Sequence, residues 1–183
     1  MINWLALNCM VVISYTLLFV INDQLQGFNH NPFIGWIFLP AGLKLFFVII
    51  FRYRTLVGLF TGSLICSYFY LEAHDAFLFL NLALASTLAP LFALIIKEKY
   101  DIQFDLDLTH LTLVDILSLA ILQSFISVVF HHLIFLSYDV IVHENLLHSL
   151  LVMFFGDLIG IIAVMILLVA GIKLIMVGYK KNP

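Results

Sequence analysis

Six stretches of this sequence are continuously apolar for about twenty residues each, the length an α-helix needs to cross a bilayer. They lie at 2–22, 33–51, 55–71, 76–96, 111–137 and 148–172. Little chain is left between them. Hydrophobic residues make up 64% of the sequence and charged residues 10%, against roughly 45–50% and about 25% in a soluble domain. The reading is an all-α, polytopic integral membrane protein of about six transmembrane helices, with residues 1–183 forming one membrane domain and no soluble domain. Membrane strands alternate in and out with a period of two, which these runs do not.

Lysine and arginine set the orientation. Arg52 and Arg54 follow the second run, Lys97 and Lys99 the fourth, and Lys173, Lys180 and Lys181 the sixth, which accounts for seven of the eight basic residues. The intervening loops 23–32, 72–75 and 138–147 carry none. The basic side is cytoplasmic, so both termini are expected inside. The N-terminal run has no positive lead-in and no small-residue cleavage site, and it reads as a retained helix. The net charge of −3 gives no basic footprint for nucleic acid. Cys9 and Cys66 sit in apolar runs and read as small hydrophobes. The largest stretch expected on the cytoplasmic side is 97–110, whose residues 101–108 alternate polar and apolar. It reads as a solvated linker or as a docking edge for a partner.

The eighth basic residue, Lys44, and the acid Asp157 both fall near the middle of apolar runs. An ionisable side chain at that depth is costly and marks a functional-site hypothesis. On straight helices their α-carbons differ in depth by about 6 Å, at about 1.5 Å per residue, and Lys44 leans toward the level of Asp157. One reading is a Lys44–Asp157 pair joining the second and sixth helices. The alternative is a neutral Asp157, or one bonded to Asn81, Gln123 or a backbone group, with Lys44 snorkelling to the interface.

Asp157 lies in GDLIG, Gly156 to Gly160, and GLFTG, Gly58 to Gly62, repeats the spacing. Small residues four apart let helix backbones approach closely, within one chain or between two. Pro40 and Gly42 permit a bend or break where the second helix opens, tolerated only if protein or a cavity covers it. The sharper form of that reading is an outward-facing pocket lined by helices two, three and six. Pro90 is expected to kink the fourth helix.

Six histidines fall toward the outer side: His30, His74, His131, His132, His143 and His148. They read as ordinary interfacial histidines, as pH-sensing groups, or as ligands. None shows a known metal-ligand spacing; the weak candidates are His74, His143 and His148. No nucleophile elbow, phosphate loop or metalloprotease signature is present. No cofactor and no enzymatic activity are expected.

The segments IFLPAGLKLFFVIIFRYRTLVGLFTGSL, LVDILSLAILQSFISVVF and FFGDLIGIIAV, spanning roughly residues 33–170, together resemble the first class of membrane-associated sensor (MASE) domains. The resemblance rests on a Pro-x-Gly helix opening followed by a basic turn, and on G-D-x-x-G. It places Pro40, Gly42, Gly156, Asp157 and Gly160 on family positions and leaves Lys44 without an equivalent. Phe154 and Phe155 stand where the family commonly has tryptophans.

The resemblance implies a sensory module of a bacterial cytoplasmic (inner) membrane. No output domain follows Lys181 in this sequence, so signalling is expected to pass to a protein partner in the membrane or on the cytoplasmic face. A small ligand would bind from the outer side, near helices two and six. The alternatives are an accessory subunit of a larger membrane complex, or the substrate-binding subunit of a transporter. For the latter, the six-helix architecture resembles that of energy-coupling-factor vitamin importers.

Overall fold

The computed structural model describes residues 3–24, 29–31, 34–70, 75–101, 112–140 and 146–181, with backbone alone for 29–31, 70 and 169–181. Within them the chain is helical apart from one minimal hairpin. The order is α1 (Trp4–Asp23), β1 (Asn29–Asn31), β2 (Ile34–Gly35), α2 (Pro40–Phe51), a 3-10 turn (Arg52–Thr55), α3 (Leu56–Tyr70), α4 (Ala76–Tyr100), α5 (Leu113–Ser137) and α6 (Leu146–Lys181). β1 and β2 pair antiparallel.

Local chemistry fixes most helix starts. Asn3 accepts from the Leu5 amide, and Asp75 accepts from those of Phe77 and Leu78. Thr112 and Asp115 form a reciprocal capping box at the head of α5, satisfying amides that have no intrahelical acceptor.

Four helices, Trp4–Asp23, Ala76–Tyr100, Leu113–Ser137 and Leu146–Leu168, are long and apolar enough to cross a membrane. α2 and α3, with 12 and 15 residues, are shorter than the expected spans 33–51 and 55–71. Proline explains the late start of α2. It has no amide proton to give a preceding turn and its fixed φ suits the first helical position, so α2 begins at Pro40 itself, with Leu39 already in helical conformation before it. Residues 34–39 approach it as a short strand and irregular backbone. α6 begins earlier and ends later than the expected 148–172.

Charge and hydropathy are arranged inside out. Outward faces carry Leu5, Ile13, Leu17, Phe77, Phe125 and Leu133, each more than half exposed. Buried positions include Asn8, Lys44, Ser86, Gln123, Ser124, Ser127, His132 and Asp157. An apolar exterior of this extent around a polar interior suits lipid surroundings, since soluble monomers rarely expose large contiguous apolar patches.

The short helix α2 is the hub. It touches α1, α4, α5 and α6, while α3 packs between α1 and α4. Eight of its twelve residues are buried. Gly58 and Gly62 bring α3 onto α1, against Asn8, Val11 and Tyr15. Gly42 brings α2 onto α6 at Gly160 and Val164. The glycine motifs therefore face neighbours within the chain.

One end of the bundle gathers the ionic contacts. Arg52 pairs with Glu98, and Lys97 reaches Asp101 at 2.6 Å and Asp115 at 3.2 Å. The same end holds the N-terminal turns of α1, because Asn8 bonds the Arg54 carbonyl at 3.0 Å.

Candidate functional site: a buried polar cluster

The segment before α2 is held by acceptors from two helices. The Phe38 amide donates to the Gly156 carbonyl at 3.0 Å, and the Leu39 amide to Asn22 Oδ1 at 2.8 Å. Non-helical backbone inside an apolar bundle must find such partners. Gly156 and Gly160 make the approach possible. A methyl group on either would overlap a carbonyl oxygen of the segment, that of Gly35 or of Phe38. GDLIG is thus the groove in which the broken opening of α2 lies.

Asp157, between those glycines, turns into the bundle and is 1% exposed; Lys44 on α2 is 2% exposed. The two interact electrostatically, but no direct ion pair joins them. Lys44 Nζ donates instead to Ser86 Oγ on α4 at 2.9 Å and lies 5.2 Å from the centre of the Phe38 ring, within cation–π range. Asp157 faces the Ser127 hydroxyl on α5, while its Oδ2 has no hydrogen-bond partner. Neither of the other side chains weighed for Asp157 is bonded to it. Asn81 donates to the Tyr138 hydroxyl at 3.0 Å, and Gln123 to the Ala41 carbonyl at 2.9 Å.

The cluster draws on every helix. Tyr15 of α1 faces Ser86 and Ser63 of α3 and feels the charge of Asp157. His131 of α5 feels the charge of Lys44. Its Nδ1 lies 2.7 Å from the Ser127 carbonyl, so that nitrogen must donate, and in the neutral ring Nε2 keeps the lone pair. Nδ1 therefore cannot serve as a base toward the Ser127 hydroxyl. Nearby, His132 bridges α5 to α6 through Ser149, 3.2 Å from its Nε2. Ser149 also donates to the Leu146 carbonyl at 3.0 Å, and its single proton serves one acceptor at a time.

Pro90, buried in α4, has a local consequence. Its missing amide leaves the carbonyl four residues back, that of Ser86, without an intrahelical donor. The same residue's hydroxyl oxygen accepts the hydrogen bond from Lys44 Nζ.

Sequence reasoning selected Asp157, Lys44, Pro40, Gly42, Gly156 and Gly160, and the structure brings these together. Gly58 and Gly62 lie apart, on the α1–α3 contact. His148 is exposed and its ring meets Trp36 at 6.0 Å. His74, His143 and residues 102–108 of the alternating segment lie outside the described residues. Among the described residues no group of three or more His, Cys, Asp or Glu could hold a metal ion. The glycine face of α6, expected to line a pocket with helices two and three, is covered by backbone of the segment before α2. A groove of about 400 Å³ lies instead between α3 and α4, lined by apolar side chains such as Leu64, Tyr68 and Phe79.

Ser86, Ser127, His131, Tyr15, Asn8 and Asn22 were missed as site residues, although the sequence carries a signal for them. Gln123, Ser127 and His131 recur every fourth residue, and Asn8, Tyr15 and Asn22 every seventh. Each series makes a polar stripe on an otherwise apolar helix.

No family model, curated protein or solved structure matches this chain.

Proposed function

We propose that this chain is a multi-pass protein of a bacterial cytoplasmic membrane that works as a sensor-like subunit. The buried cluster around Lys44 and Asp157 sets its state, and a partner protein reads that state. The observation that carries the reading is the placement of two fully buried ionisable residues where contributions from all six helices converge. A change there is felt by every helix contact. The inside-out surface supports the membrane assignment. The ionic residues gathered at one end support cytoplasmic termini, since that end also holds the start of α1. α6 carries Asp157 and continues as one helix to Lys181. Its 36 residues make a rod of about 54 Å, long enough to carry a displacement past a hydrocarbon core about 30 Å thick. The resemblance to membrane-associated sensor domains points the same way.

A transport reading is favoured by one feature. α2 is a half-helix opening inside the bundle from irregular backbone, a geometry that transporters use at substrate sites.

The test is purification of the tagged protein from its native membranes in mild detergent, in wild-type form and as Lys44→Gln. Capture of a signalling enzyme by the wild type, altered by Lys44→Gln, is the expected result. Capture of a transport ATPase or a large structural complex, unaffected by the substitution, overturns the sensor reading in favour of transport or an accessory role.

A further inference from the structure

The sensor reading leaves open what the buried cluster binds. Four buried side-chain atoms among the described residues have no hydrogen-bond partner: Thr16 Oγ1, Gln123 Oε1, Ser124 Oγ and Asp157 Oδ2. Gln123 and Ser124 lie on α5, and Ser127, one turn beyond Gln123, faces Asp157. Two of the four atoms, Asp157 Oδ2 and Gln123 Oε1, can accept but cannot donate while the carboxyl is ionised. Leaving buried acceptors unpaired costs about 1–3 kcal/mol each. The segment 34–39 seals the glycine face of α6, with backbone oxygens where even a methyl group would overlap.

We propose, building on the sensor reading, that the ligand of this cluster is a proton and that Asp157 is its binding site. A proton needs no cavity. It converts one acceptor-only oxygen into an O–H donor, which finds an acceptor on α5 in the Ser127 hydroxyl that faces it. The proton comes from bulk water and returns to it, and only the O–H bond is made and broken.

The two states hold α6 differently. Ionised Asp157 is drawn to Lys44 of α2; neutral Asp157 bonds to α5 and releases that attraction. Proton binding thereby changes which helix α6 is tied to, and α6 is the helix that continues to Lys181. The other titratable groups in this surrounding are Lys44 from α2, Tyr15 from α1 and His131 from α5, with His132 beside it. Cys66 of α3 enters through Tyr15, and α4 contributes the Ser86 hydroxyl. β2, which also packs on α6, carries no titratable side chain.

The experiment is infrared difference spectroscopy of the full chain in lipid nanodiscs, stepped between about pH 5 and about pH 8, the range over which physiological switches operate. Protein labelled with carboxyl-13C aspartate assigns any carboxylic-acid carbonyl band to aspartate without mutation. The expected result is an isotope-shifted band that grows on acidification, is absent in Asp157→Asn, and changes frequency in Ser127→Ala. Should Asp157→Asn fail to fold, the labelled wild type and Ser127→Ala still decide. A wild type without such a band across the range overturns the proposal, as does a band insensitive to both substitutions. Partner capture does not depend on this band. Capture without the band removes the proton and keeps the sensor; the band without any partner dependence does the reverse.

Discussion

Phe38 and Gly156 meet backbone to backbone, the amide of one donating to the carbonyl of the other at 3.0 Å. Through this bond a piece of irregular chain crosses the face of a helix in an apolar bundle. Both partners depend on Gly156 and Gly160 having no side chain. Gly156→Ala and Gly160→Ala are expected to destabilise the protein strongly, at or beyond the upper end of the roughly 1–3 kcal/mol that overpacking a core costs, because the obstructing atoms are backbone oxygens. Gly62→Ala is the internal comparison. Its methyl would meet the Tyr15 ring at 3.1 Å, where a ring can give. Thermal unfolding of the three variants in one detergent should rank Gly62→Ala nearest wild type. Equal melting points would mean that the segment is not held against α6.

The Lys44–Asp157 relationship predicts a particular pattern of non-additivity. Removing either partner leaves the other buried with less compensation, so Lys44→Met and Asp157→Asn should each destabilise by several kcal/mol. Residues sharing an electrostatic network typically couple by about 0.5–3 kcal/mol, and the double variant Lys44→Met/Asp157→Asn should recover stability in that range. Full charge exchange should recover less. Each residue has its own hydroxyl neighbour, Ser86 for the amine and Ser127 for the acid, and exchange places each charge in the other's setting. Denaturation of the four proteins measures this directly. A charge-exchanged protein as stable as wild type would indicate a simple ion pair.

Much of this architecture was legible because lipid-like surroundings impose a strong pattern. Long apolar runs located α1, α4, α5 and α6 well. α2 was misjudged because its first third, including Trp36 and Phe38, is as apolar as a helix. Hydropathy alone cannot distinguish a buried irregular strand from a buried helix when neighbouring side chains and carbonyls supply the missing hydrogen bonds. GDLIG identified a close approach but not the whole of the object approaching, which is a strand-like segment together with the start of α2. The cluster was half visible. Lys44 and Asp157 announced themselves by charge. Ser86 and Ser127 did not, because serine in an apolar helix usually bonds its own backbone and carries no signal of its partner.

Asn8 shows how such a hidden residue works. Its Oδ1 accepts from the Gly58 amide at 2.6 Å, and its Nδ2 donates to the Trp4 and Arg54 carbonyls at 2.9 and 3.0 Å. One side chain of α1 therefore serves both the 3-10 turn and the first turn of α3. Asn8→Leu should cost about 1–3 kcal/mol, the penalty for leaving buried polar groups unpaired, and Asn8→Asp should lose the donor contacts while keeping the acceptor. The melting temperature is expected to fall for both, and the start of α3 should gain hydrogen exchange. An unchanged exchange rate at Gly58 would exclude the capping role.

Arg52 ends α2 with a φ of 55°, a backbone region that costs a non-glycine residue about 1–3 kcal/mol. Its ion pair with Glu98 is half exposed on the arginine side, and exposed pairs contribute about 0–1 kcal/mol. The strain and the pairing therefore oppose each other. Arg52→Gly should be as stable as wild type or more so, whereas Arg52→Ala should be less stable, since it loses the pair and keeps the strain. Raising the salt concentration should widen the gap between Arg52→Gly and wild type and narrow that between wild type and Arg52→Ala, because screening removes only the pairing, which wild type alone has. If Arg52→Gly is instead the least stable of the three, the contact with Glu98 dominates this end of the bundle.

Sidedness follows from the same end of the molecule. Cysteines introduced at Arg54 and at Lys99, in a background with Cys9 and Cys66 replaced by alanine, should react with a membrane-impermeant maleimide only after the inner face is opened. A cysteine at Asp139, beyond α5, should react in intact cells. The physical basis is that Arg54 lies beside Asn8 of α1, so the turn after α2 and the beginning of the chain share a side, and lysine and arginine hold that side inside. Reaction at Arg54 in intact cells would invert the orientation. Reaction at both Arg54 and Asp139 from outside would contradict the placement of Arg54 beside the start of α1 and of Arg52 beside Glu98.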